Sequence, residues 1–301
     1  MPPRPSPTHF LCIPLVTGAS RPQLAASLGS FRADVSAPPE AGGFGIPETA
    51  VRPVGTIHLT LGVMSFPPGS GGGGGSSSGN GATGPGLEAA VSLLKTLVPR
   101  QILASIRSGE ARGADSTTAA VAATPATAKA SPSTAGEESQ TAASAGTIRP
   151  PPLLSVTLRG LHSMQPASRA TVLYAAPADD NGQGTTTTLQ AFCEKLRAAF
   201  QEAGLMVSEE ERDARPLLLH ATVLNTIYVK GGGKGKGGKG GGGRRREKLT
   251  VDARPILDRY DDFVWMRDVP LEKIAICRMG AKKVGDDGDE AYEVEAEIDL
   301  A

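Results

Sequence analysis

Two triplets hold side chains that could do chemistry together, His58-Leu59-Thr60 and His220-Ala221-Thr222. Each lies in an apolar run, TIHLTLGVMSF and PLLLHATVLNTIY, that reads as a β-strand. Residues i and i+2 of a strand share a face. His58 and Thr60 therefore project together, with Ile57, Leu59, Leu61 and Val63 on the other side. His220 and Thr222 likewise stand above Leu219, Ala221 and Val223. Splitting a phosphodiester without a metal needs a base to deprotonate the nucleophile and an acid to protonate the leaving oxygen. Two imidazoles, ordinarily titrating near ~6.5, can divide these roles at neutral pH. Each can contribute roughly 10²- to 10⁴-fold in rate. The threonine hydroxyls can donate to non-bridging phosphate oxygens and orient phosphorus for in-line attack.

With four histidines and 23 threonines in 301 residues, composition alone supplies about 0.3 such triplets, so their meaning comes from their setting. Both stand at the same place in a repeated unit. The first copy is an apolar strand, FLCIPLV from Phe10. A helix follows, with Leu24, Leu28, Phe31 and Val35 on one face, Ser20 as N-cap and Pro22 in its first turn; the His58 strand comes next. The second copy is ATVLYAA from Ala170, a helix with Leu189, Phe192, Cys193, Leu196 and Phe200 on one stripe closed by Gly204, then the His220 strand. Leu11 precedes His58 by 47 residues and Val172 precedes His220 by 48.

Residues 87 to 106 read as helical with a break at Pro99. LLSVTLRGL reads as a strand, Asp252 to Tyr260 as a short helix and KIAIC as a strand. The alternation of Tyr292, Val294, Ala296, Ile298 and Leu300 with acidic residues closes the chain as a half-buried strand. This order of elements favours a two-lobed α+β fold.

Many of the 38 glycines fall in three low-complexity segments, 67–86, 109–147 and 231–248, too poor in large apolar side chains to offset their ordering entropy. They are expected to be disordered insertions in surface loops. The 31 basic and 31 acidic side chains cancel, so no global field draws the chain to a polyanion. A local basic run follows the second triplet. Its Lys230, Arg244, Arg245 and Arg246 are candidates for contact with nucleic-acid phosphates or for an import signal, against the alternative of a solvated loop.

Cys12, Cys193 and Cys277 have neither disulfide-framework nor zinc-ligand spacing and read as buried thiols. The run Phe10–Val16 is short and interrupted by Pro14, so neither a signal peptide nor a membrane span is expected, and the protein reads as soluble and intracellular. No glycine-rich fingerprint for a nucleotide cofactor is present. His9 reads as the first side chain of a strand and His162 as part of a polar turn. Trp265 and Tyr260 could stack on a base, but packing of the C-terminal helix on the sheet is the favoured role. The acidic runs at Glu209 and Asp286 read as solvated turns, not metal sites.

The strands IHLTLGVM and LLHATVLNT carry a family likeness. So do HFLCIPL, VLYA ahead of a helix ending in AGL, DARPILDRYDDF, LEKIAICRMG and EIDL. Together these segments resemble the two-histidine phosphoesterase superfamily, and within it the A-kinase anchor protein 7-like domain found also in activating signal cointegrator 1 complex subunit 1, the more similar of the two. The likeness runs from about His9 to Ala301, leaving out the three insertions.

The resemblance implies one domain over 8–301, with two antiparallel sheets lining a central cleft and helices outside. Its lobes would be about 8–66 plus 87–107, and 150–301. It implies catalytic roles for His58, Thr60, His220 and Thr222. The implied activity is on 2′,3′-cyclic phosphates, 2′,5′-linked oligonucleotides or RNA ends, with no metal or other cofactor. The alternative that it implies is a non-catalytic RNA-binding subunit of a helicase-containing coactivator and alkylation-repair complex, nuclear with a cytoplasmic pool. The cointegrator subunit carries a KH domain ahead of this one and nothing precedes it here, so substrate recruitment is expected to differ.

Overall fold

The run HFLCIP forms strand β1 (His9–Pro14), buried on both faces as its unbroken apolar sequence requires. The computed structural model describes residues 6–66, 86–115, 154–179, 184–207, 216–229, 249–285 and 288–300. Helix α1 (Ser20–Ser36) buries Leu24, Leu28, Phe31 and Val35, the stripe read from its sequence. Ser20 is not its N-cap, as expected, but its first residue, and Ala19 at the cap position makes no side-chain bond. The Thr17 hydroxyl accepts from the Ser20 amide (3.2 Å) while the Thr17 amide donates to Ser20 Oγ (2.8 Å), a reciprocal pair that fixes the chain as it enters the helix. Strand β2 (His58–Met64) completes the first unit.

The second unit repeats it with β4 (Val172–Ala178), α4 (Thr185–Glu202) and β5 (Ala221–Asn225). Helix α4 buries the expected five residues. It stops at Gly204, whose φ of +66° allows Leu205 N–H to reach Phe200 O and Gly204 N–H to reach Gln201 O.

β3 (Ser155–Ser163), β6 (Val264–Pro270), β7 (Lys273–Arg278) and β10 (Val294–Asp299) complete a curled, antiparallel eight-stranded sheet in the order β10-β7-β1-β2-β5-β4-β3-β6. Its halves, β10-β7-β1-β2 and β5-β4-β3-β6, are the two expected sheets. One strand-to-strand pairing joins β2 to β5, Leu59 with Ala221. The lobe boundaries differ from expectation, because β7 and β10 belong beside β1 in the first half although they come last in the chain. Non-local pairing of this kind leaves no trace in a local pattern.

The helices tie the halves together. α1 lies against β6 and α4 against β2 and β3. Trp265 of β6 sits in a box of aromatic rings from Phe31, Tyr260 and Phe263, and its Nε1–H donates to Gly160 O at 2.8 Å. It therefore packs as expected, though from a strand that the sequence reading missed. α2 (Leu87–Thr96) and α3 (Pro99–Asp115) bend by 58° at the expected break and pack against β10 and α4 respectively. α3 continues into what was read as the start of an insertion at 109. Among the described residues no single helix is long and apolar enough to cross a membrane. A short hairpin, β8 (Lys282–Val284) with β9 (Asp289–Ala291), stands apart from the main sheet, and Asp289 accepts from Gly55 N–H and Arg21 Nη1.

All three cysteines are free and buried. The Cys12 and Cys277 sulfurs lie 3.8 Å apart in a small apolar cluster with Phe10 and Ala275. The hydrogen bond to Cys277 and then burial push the Cys12 thiol up, and burial pushes up Cys193. Because the thiolate is the reactive form, iodoacetamide should modify these two residues roughly tenfold or more slowly in native than in unfolded protein. Mass mapping of the alkylated peptides checks this, and equal rates would contradict their burial.

Candidate active site

The seam between the halves carries both triplets. Leu59 and Ala221, the paired residues, are fully buried beneath it. Their neighbours along each strand take the opposite face, so His58, Thr60, His220 and Thr222, all half-buried, stand on the same side of the sheet. Antiparallel pairing about Leu59 and Ala221 sets His58 across from Thr222 and Thr60 across from His220. The histidines are then diagonal neighbours, about 7 Å apart in a regular ladder. The structure thus brings together all four residues singled out from sequence.

Both imidazoles are tethered alike. His58 Nδ1–H donates to Thr56 O (2.7 Å) and His220 Nδ1–H donates to Leu218 O (2.8 Å), each to the carbonyl two residues back. A carbonyl can only accept, so in the neutral ring the proton stays on Nδ1 and Nε2 keeps its lone pair. Thr60 Oγ1 donates to that lone pair of His58 at 3.0 Å.

The surroundings of the two rings differ. His58 lies between Phe10 (centroids 4.8 Å) and Tyr292, which meets it edge-on at 5.2 Å. Burial pushes its pKa down to about 4, against the bond to Thr56 and with help from the positive charges of His220 and Arg52. Arg52 is buried beside it, donating from Nη2 to the Tyr292 hydroxyl at 3.3 Å. Burial pushes the Tyr292 hydroxyl up to about 12, so it stays protonated. His220 meets Tyr174 edge-on at 5.5 Å, and Tyr174 pairs with Thr222 in the sheet. His162 is not in a turn. It lies near the end of β3, paired with Tyr174, with rings 5.5 Å apart.

Arg52, Tyr174 and Tyr292 were missed in the sequence reading. Tyr174 falls in a predicted strand whose face only the fold decides, and Tyr292, expected in the last strand, lies two residues before β10. Arg52 sits in irregular chain before Pro53 and has no periodic signal. His9 begins β1 as expected, 6% exposed against the Phe66 ring. Lys230, Arg244, Arg245 and Arg246 lie outside the described residues, as do the acidic run at Glu209 and Asp286. Among the described residues no three His, Cys, Asp or Glu side chains converge as metal ligands. A separate cavity, lined by Gln23, Ser27, Phe263 and Trp265 between α1 and β6, includes none of the four triplet residues.

The model of the family described as the AKAP7 2'5' RNA ligase-like domain matches residues 147–300. The chain belongs to that family. Membership bears out the two-histidine phosphoesterase resemblance drawn from the strands. The stretch matched to the AKAP7-like model contains the second triplet, and the first lies before it. An uncharacterized protein of Schizosaccharomyces pombe, C15D4.13c, is 34% identical over 131 residues, or 44% of this chain and 50% of the relative. The chain thus spans about half the length of the curated relative it matches. Among solved structures, LigT of E. coli complexed with NADP+ is similar at 16% identity over 98% of each chain, with a TM-score of 0.35. TT0787 of Thermus thermophilus is similar at 14% identity over 97% of each chain, with a TM-score of 0.37.

Proposed function

We propose that this member of the AKAP7-like family is a phosphodiesterase that needs no metal and acts on RNA ends or small nucleotides, with 2′,3′-cyclic phosphates as the simplest substrates. The observation that carries the reading is the matched tethering of the two histidines. Each Nδ1 is fixed to a backbone carbonyl, leaving each Nε2 to exchange a proton above one shared seam.

In the proposed reaction His58 is the base, because its depressed pKa keeps it neutral. Water gives a proton to His58 Nε2 as its oxygen bonds to phosphorus. The P–O bond to one ribose oxygen breaks, and His220, protonated on Nε2, gives its proton to that oxygen. The net change is addition of one water across the P–O bond. Thr60 and Thr222 hydroxyls donate to the non-bridging oxygens, the Thr60 hydroxyl turning from His58 Nε2 to phosphate when substrate binds.

Turnover of a panel of 2′,3′-cyclic nucleotides in the presence of EDTA tests the reading, and no turnover of any member would overturn it. The pH profile tests the division of labour. A base works when deprotonated, so kcat/KM should hold as pH falls through 6 and drop only on approach to pH 4–5, the region set by His58. A fall beginning near pH 6.5 would make His58 the wrong base. The same shift bears on folding. His58 takes a proton less readily folded than unfolded, so its contribution to stability is full above about pH 6.5 and is lost as pH falls towards 4.

A further inference from the structure

Arg52 is 4% exposed, and among the described residues no carboxylate pairs with it. Its amide donates to Val223 O (2.8 Å) and Val51 bridges Leu224, so this stretch extends the seam along β5 beside the triplets. The guanidinium carbon lies 4.0 Å over the ring of Tyr228, which is 43% exposed, and one nitrogen reaches the Tyr292 hydroxyl. Tyr292 in turn touches the His58 ring. A buried cation without a counter-charge is unfavourable, and a guanidinium held flat by one ring and one hydroxyl keeps its remaining N–H groups in the fork that matches two phosphate oxygens.

We propose that Arg52 is a further catalytic residue, an anion clamp that takes the non-bridging oxygens of the phosphate lying between His58 and His220. This rests on the phosphodiesterase reading and gives it a charge argument. A phosphodiester carries one negative charge, whereas the phosphorane-like transition state and the monophosphate product approach two. A fixed cation therefore binds the transition state more tightly than the substrate, and its effect falls on kcat. Tyr228 and Tyr292 are positioning residues that hold its plane.

The test uses the full chain with Arg52→Met and Arg52→Lys. Turnover of 2′,3′-cyclic AMP and calorimetric binding of inorganic phosphate are measured for both variants and wild type. Arg52→Met should lose roughly 10²-fold in kcat with KM changed less than about threefold, and bind phosphate roughly tenfold or more weakly. Arg52→Lys keeps the charge without the fork and should fall between, which also decides the matter if the methionine variant fails to fold. An active wild type whose variants keep kcat and phosphate affinity would overturn the clamp and leave the enzyme reading intact. A rise in KM alone, with kcat unchanged, would place Arg52 on a flanking phosphate and also overturn it. An inactive wild type that binds phosphate through Arg52 would keep the anion site and refute the enzyme. A wild type that neither turns over the nucleotide nor binds phosphate would refute both.

Discussion

His58→Ala and His220→Ala should each lower kcat/KM for a 2′,3′-cyclic nucleotide by roughly 10²- to 10⁴-fold, and the double variant should be little worse than the poorer single one. In the proposed reaction each histidine moves one of two protons in a single displacement, so removing either would leave the other without a productive role. The variants should also differ in what they disturb. His58 fills a gap between Phe10 and Tyr292, so its loss loosens a packed cluster, whereas among the described residues one aromatic ring, Tyr174, meets His220. Thermal melts of both variants should separate chemistry from folding. A His220→Ala protein that melts like wild type and turns over at an equal rate would remove His220 from the mechanism.

Trp265→Ala should destabilise the fold by about 3–5 kcal/mol, the range for a large aromatic side chain deleted from a core. Trp265 is 1% exposed and contacts rings from α1, from Tyr260 just beyond α5 (Arg254–Arg259), and from Phe263. Its loss leaves a cavity among them and removes the donor to the Gly160 carbonyl. That carbonyl belongs to a glycine at φ +70°, where an added Cβ would lie 2.8 Å from Asp261 O, so the backbone has little room to adjust. The shift in urea midpoint, with the m-value checked for constancy, measures the effect. A change below about 1 kcal/mol would mean that the contact between α1 and β6 does not hold the halves together.

The elements that position the triplets could be read from the chain because their signals are local. Leu59 and Leu61 alternate with His58 and Thr60 at the strand period, and Leu189 to Phe200 recur at the helical one. β6 escaped because VWMRDVP does not alternate. Two successive residues, Arg267 and Asp268, are exposed, and Asp268 takes a positive φ of 47°. The hairpin β8–β9 is too short to show a period. His162 belongs to β3 and not to the polar turn expected after LLSVTLRGL, because the strand runs on past Gly160, whose positive φ accompanies a register shift. The neighbours that give the candidate site its charge and shape were hidden for a different reason. Arg52, Tyr174 and Tyr292 meet the triplets through pairings that span much of the chain, and no local pattern reports those.

The crossed packing of the helices has a consequence for how such a chain holds together. Because α1 lies against β6 of the second half, and α4 against β2 of the first as well as β3 of its own, either half alone would lose contacts that its helix makes across the seam. Two units supply each other's need, and the seam where they meet has the form of an isologous contact, histidine facing threonine in both directions. The chain is built as a dimer is built, with its two candidate histidines shared across the two-fold relation, and neither half can be expected to keep the site if separated from the other.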